Sequence, residues 1–108
     1  MNTVEFDKIV KNRMSQIEQT LTSKSIEYST EDRLHSFKAA ARIDNITPKR
    51  ALWGMFMKHF VSIQDMVFNV REPNLAMIDE KIGDAINYLV LAEAIMKEEL
   101  LNKKEGTL

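Results

Sequence analysis

The sequence predicts an all-α fold: a single domain over residues 1–108, built as a bundle of about four helices. Three observations carry this reading. The chain has only three glycines and two prolines, no run of alternating apolar and polar residues suggests a strand, and apolar residues recur every three or four positions. A chain of 108 residues holds one core of modest size.

The first helix is expected from about Val4 to Glu27, with Phe6, Val10, Met14, Ile17 and Leu21 on one face. The second, from about Glu31 to Ile43, follows the cap signal Ser29-Thr30 and gathers Leu34, Phe37, Ala40 and Ala41. Asp32 then sits in a first turn, where a carboxylate complements the helix dipole. The third begins at Thr47-Pro48, where threonine can accept first-turn N–H groups and proline needs no donor. It runs to about Phe68, with Leu52, Phe56, His59, Phe60, Ile63, Met66 and Val67 as a broad apolar face. Glu72-Pro73-Asn74 breaks the pattern, and a fourth helix runs from about Leu75 to Asn102, with frayed residues after it.

Composition narrows the function classes. Apolar residues make up 44% and charged residues 29%, as in ordinary soluble globular proteins. Fifteen basic against sixteen acidic side chains leave a net charge of -1, without the positive field that gathers nucleic acid, so nucleic acid is not an expected partner. The absence of cysteine excludes disulfides, thiolate nucleophiles and Cys-ligated zinc. The N-terminus lacks a basic stretch followed by an apolar one, and no window reaches about 18 apolar residues. A cytoplasmic protein, neither exported nor membrane-spanning, is expected.

The most informative stretch is Ile78 to Leu89, which places Glu80 and Asp84 four residues apart in an otherwise apolar helix. At about 100° per residue, Glu80, Asp84, Asn87 and Leu91 share a face. The main stripe, Ile78, Ile82, Ala85, Leu89, Ala92 and Met96, points roughly the opposite way. From Leu89 to Met96 the helix is apolar nearly all round. That predicts burial on two sides, the second by another subunit, in a homo-oligomer (dimer or tetramer) with Glu80 and Asp84 near the boundary.

A second constellation, Gly54, Lys58, Ser62 and Asp65, falls within about 80° on the polar side of the third helix. Glycine inside a helix costs about 1 kcal/mol relative to alanine, so Gly54 suggests a close approach by a neighbouring helix or a ligand. Lys58 suits a phosphate and Asp65 a hard cation such as Mg²⁺; a solvated face is the simpler alternative. A third cluster, Lys24 to Arg33, includes Glu27 and Tyr28 at a helix junction, and Arg33 there can hold either a phosphate or Asp32. His59 occupies the position of a hydrogen-bonded core histidine, and His35 that of a surface or cleft-edge residue. With two histidines on different helices and no cysteine, a zinc site is not expected, and neither a nucleophile elbow nor a Gly-rich phosphate loop occurs.

The segment Lys81-Ile82-Gly83-Asp84-Ala85-Ile86-Asn87-Tyr88-Leu89 resembles the "E-x-G-D-x-x-x-Y-L" helix of the all-α, MazG-like nucleotide pyrophosphohydrolases. Glu27-Tyr28, Lys58-His59-x-x-Ser62-Ile63-x-Asp65-Met66 and Asp84-x-x-Asn87-Tyr88 also resemble small phage-encoded relatives described as nucleotide-modification-associated. The resemblance runs from about Ser25 to Glu98. It implies a helical, oligomeric, Mg²⁺-dependent enzyme that cleaves nucleoside triphosphates to monophosphate and pyrophosphate.

The chain departs from that pattern. Lys58-His59-x-x-Ser62 stands where the enzymes carry E-E-x-x-E, and Lys81 replaces a glutamate, with Glu80 one residue out of register. On the enzyme reading the metal ligands become Glu27, Asp65, Glu80 and Asp84. Lys58 and Glu80 act in catalysis, and Tyr28, Arg33, Lys58 and Asn87 bind the nucleotide, with Tyr28 or Trp53 stacked on the base. The competing reading is a non-catalytic phage accessory or inhibitor protein that works through protein contacts.

Overall fold

The computed structural model describes residues 1–22 and 32–106. It contains α1 (Thr3–Leu21), α2 (His35–Asp44), α3 (Pro48–Val67) and α4 (Leu75–Gly106), with no strand among the described residues. The all-α, four-helix expectation is met. Among the described residues no helix is long and apolar enough to cross a membrane.

Local chemistry accounts for most of the boundaries. Asn2 accepts the N–H of Glu5 at 2.8 Å while the Glu5 carboxylate accepts the N–H of Asn2 at 2.9 Å, a reciprocal cap that starts α1. Asn45 closes α2 in the left-handed region at φ 56°, and the Ile46 N–H returns to the Ala41 carbonyl. Thr47 and Pro48 open α3 as anticipated, the threonine hydroxyl accepting the Arg50 N–H. Asn74 caps α4 by accepting the N–H of Met77 at 2.9 Å.

The second helix begins later than the sequence suggests. Residues 32–34 form a turn, with the Leu34 N–H donating to the Asp32 carboxylate and the His35 N–H to the Asp32 carbonyl. Asp32 is therefore a turn residue and not a first-turn helical one. The Ser29-Thr30 signal lies outside the described residues.

The long antiparallel pair α3 and α4 forms the spine, with α2 packed on α3 and α1 on α4. Leu34, Phe37, Leu52 and Ile95 make the buried cluster, with Met55, Tyr88, Leu91 and Ala92 packed around it. The Phe37 and Tyr88 rings meet edge to face at 6.2 Å. No residue of α1 is buried. The core is thus a three-helix core, against which α1 docks.

The inward face of α4 differs from the predicted stripe. Ile78, Leu89 and Met96 are 40%, 54% and 53% exposed, whereas Ala85 and Ile95 are buried and Tyr88 and Leu91 half-buried. Hydrophobic period locates the most apolar face, but here the core is made by small residues and an aromatic on a face rotated by roughly 80°. Ala85 and the half-buried Ile82 and Ala92 belong to both faces.

Candidate functional site

The face bearing Glu80, Asp84 and Asn87 is turned toward α1 of the same chain. All three side chains line a cleft of about 350 Å³ between the helices, together with Asp79, Gly83 and, from α1, Arg13, Gln16 and Thr20. The predicted fourth member of the face, Leu91, lies beyond the cleft, next to Leu21 of α1, and also packs against the core.

Arg13 crosses the cleft, and its guanidinium donates to the Asp79 carbonyl at 3.1 Å. The crossing depends on Gly83, where a Cβ would lie 2.5 Å from Arg13 Nη1. Gly54 plays no such part, since a Cβ there would meet nothing within 4 Å. The close approach expected at Gly54 therefore occurs at Gly83. Sequence reasoning missed Arg13, although a signal was present: it is a charge bordering the apolar stripe, three residues after Val10 and four before Ile17.

Asp84 faces two ways. Besides lining the cleft, its Oδ2 lies 3.7 Å from His59 Nδ1, an ion-pair distance for a protonated ring and too long for a hydrogen bond. The His59 side chain is 12% exposed and packs on Tyr88, with ring centroids 4.6 Å apart. His59 thus has the core position expected of it. The hydrogen bond expected with that position is not formed, for Asp84 is too far from Nδ1 and Nε2 is buried without a partner. Asn87 Oδ1, one turn beyond Asp84, is likewise buried without a partner. Buried polar atoms are nearly always satisfied, so two orphans on the facing helices α3 and α4, His59 Nε2 and Asn87 Oδ1, are unusual.

The other predicted residues lie elsewhere. Lys58 is exposed on α3, where its carbonyl accepts the Ser62 hydroxyl at 3.0 Å. Asp65 ends the same helix, its carbonyl accepting from Val70 and Arg71. Neither lines the α1–α4 cleft. Arg33 lines a separate depression of about 430 Å³ with Leu21, Val90 and Leu91, the next turn along the α1–α4 groove. Trp53 is exposed and stacks on Phe56 at 5.6 Å, and His35 is exposed as expected. Glu27 and Tyr28 lie outside the described residues.

Among the described residues no three His, Asp or Glu side chains are close enough to share a metal ion. Asp65, Glu80 and Asp84 are therefore not drawn into one group. Glu80 and Asp84, both partly exposed, share the cleft with Asp79, and Lys81 lies 3.6 Å from Glu80. Comparison with family models, curated proteins and solved structures gives no match for this chain.

Proposed function

We propose that the α1–α4 cleft binds a nucleotide and that the protein is a Mg²⁺-dependent nucleoside triphosphate pyrophosphohydrolase or a nucleotide-binding relative of such enzymes. One observation carries the reading: the polar face Glu80, Asp84 and Asn87 lines a cleft whose opposite wall supplies Arg13. A guanidinium facing carboxylates across an open cleft is suited to a phosphate chain and its counter-cation. The orphaned Asn87 Oδ1 is an acceptor that a sugar hydroxyl or a base N–H would satisfy.

The donor set fits Mg²⁺ in the manner usual for that ion, which takes one or two carboxylates and completes its shell with water and substrate phosphates. Glu80 and Asp84, i and i+4 on one face, would hold it. The ion would neutralise phosphate charge and acidify a bound water. Arg13 would orient the phosphates. The protein is further read as a homo-oligomer, because α1 leaves much apolar surface uncovered. The same surface favours the second reading, an accessory or inhibitor protein acting through protein contacts.

Titration calorimetry with a panel of NTPs and dNTPs plus Mg²⁺, combined with product chromatography, tests the proposal. Wild type should give binding heat and release pyrophosphate. Asp84→Asn should lose both, and Asp65→Asn should keep them. No heat and no product across the panel would overturn the nucleotide reading.

A further inference from the structure

From the exposed face of α1 we infer that a second copy of this chain docks there, the two α1 helices pairing antiparallel about a twofold axis at Val10. The inference rests on the homo-oligomer reading and is independent of the nucleotide. Phe6, Ile9, Val10 and Met14 form one apolar strip on α1, with Phe6 56% and Val10 44% exposed. The same strip continues through Arg13 and Ile17, which reach α4, so its N-terminal half is a prolongation of a packing surface left without cover.

Area and charge both point to a second copy. A compact monomer of 12.5 kDa exposes about 6,200 Å². This chain exposes 8483 Å², an excess of about 2,300 Å². A stable standard interface needs only about 800 Å² from each partner, roughly a third of that excess. The charges of α1 are balanced, Glu5, Asp7 and Glu18 against Lys8, Lys11 and Arg13. An antiparallel pairing centred on Val10 sets Phe6 against Met14, and it puts no like charges opposite one another. Such a contact is isologous and closes after two copies.

The chain has no native cysteine, so Val10→Cys gives a single, self-reporting thiol at the axis. Sedimentation equilibrium of the full chain should give twice the 12.5 kDa chain mass for wild type and the single-chain mass for Val10→Glu, with helicity unchanged by circular dichroism. With copper phenanthroline as oxidant, Val10→Cys should form a disulfide-linked dimer, and Lys97→Cys, on the exposed side of α4, should not. A monomeric wild type would overturn both the oligomer reading and this interface, leaving the strip to a different partner. A dimer that survives Val10→Glu, with no Val10→Cys cross-link, would overturn this interface and leave the oligomer standing. Should Val10→Glu lose helicity, the cross-linking result alone decides.

Discussion

The Arg13 guanidinium lies across Gly83, in the cleft where the acidic face of α4 meets α1. A Cβ at position 83 would meet only the far end of a flexible side chain, so a methyl group asks Arg13 to move by an ångström or so. Alanine also gains about 1 kcal/mol of helix propensity over glycine. Gly83→Ala is therefore expected to leave global stability within about 1 kcal/mol of wild type. Gly83→Leu, too large to share the site, should lift α1 from α4. Amide hydrogen exchange would show this as lost protection in α1 with α3 still protected, and unchanged α1 protection in Gly83→Leu would mean that Arg13 does not set the helix spacing.

His59 is a costly residue for its position. Its Nε2 is buried without a partner, while the carboxylate nearest its Nδ1 in an ion pair, that of Asp84, is 3.7 Å away and 40% exposed to solvent. Leaving a buried polar atom unsatisfied costs about 1–3 kcal/mol, and a solvent-screened pair returns less than that. His59→Phe keeps the ring against Tyr88 and removes the orphan. Thermal unfolding should show a midpoint raised by roughly 4–8 °C for each kcal/mol recovered. A lowered midpoint would show that Nε2 is satisfied in solution, by a water or a ligand.

Which parts of the site were legible follows from the kind of signal each residue carries. Glu80, Asp84 and Asn87 were readable because charge on an apolar helix is anomalous and helical spacing fixes their common face. What would cover that face was not readable, since periodicity says which side is apolar or polar and nothing about its partner. The same limit explains α4, where the most apolar side, Leu89 and Met96, is exposed and the core is built on Ala85, Tyr88 and Ile95. Thr47-Pro48 marked the start of α3 correctly because cap chemistry is local. Lys58 and Asp65 share a helix face by spacing, yet the fold brings neither to the cleft, because a shared face does not choose its neighbour.

Acid should loosen the turn before α2. The Lys38 ammonium, hydrogen-bonded to Asp32 at 2.6 Å, and the Leu34 N–H hold the Asp32 carboxyl below its ordinary value of 3.8. A carboxyl whose pKa is lower in the folded state contributes stability that is present above the unfolded value and lost as pH falls through the folded one. Glu93, held down by Lys97, acts in the same sense. Lys38, raised by Asp32 and Glu98, contributes below 10.5, and its share fades as pH rises through the folded value. Asp32→Asn should therefore flatten the stability profile of the chain below about pH 4. Parallel profiles for wild type and variant in denaturant titrations from pH 2 to 7 would show that the Asp32–Lys38 pair is not populated.

The rotation of α4 can be tested within a single helix. Ile95 is 4% exposed inside the cluster formed with Leu34, Phe37 and Leu52, and Leu89 is 54% exposed six residues earlier. Truncating a buried aliphatic side chain costs its transfer energy and leaves a cavity, together about 2–5 kcal/mol. Truncating an exposed one changes stability by about 0.5 kcal/mol or less. Urea unfolding should then give Ile95→Ala a loss of about 2–5 kcal/mol, a large part of the stability of a domain of this size, and Leu89→Ala almost none. The comparison holds helix, side-chain volume and chemistry nearly constant, so burial alone separates the two variants. Equal losses would mean that the Leu89 side is also covered in solution, and a loss confined to Leu89→Ala would restore the stripe that hydrophobic period picks out.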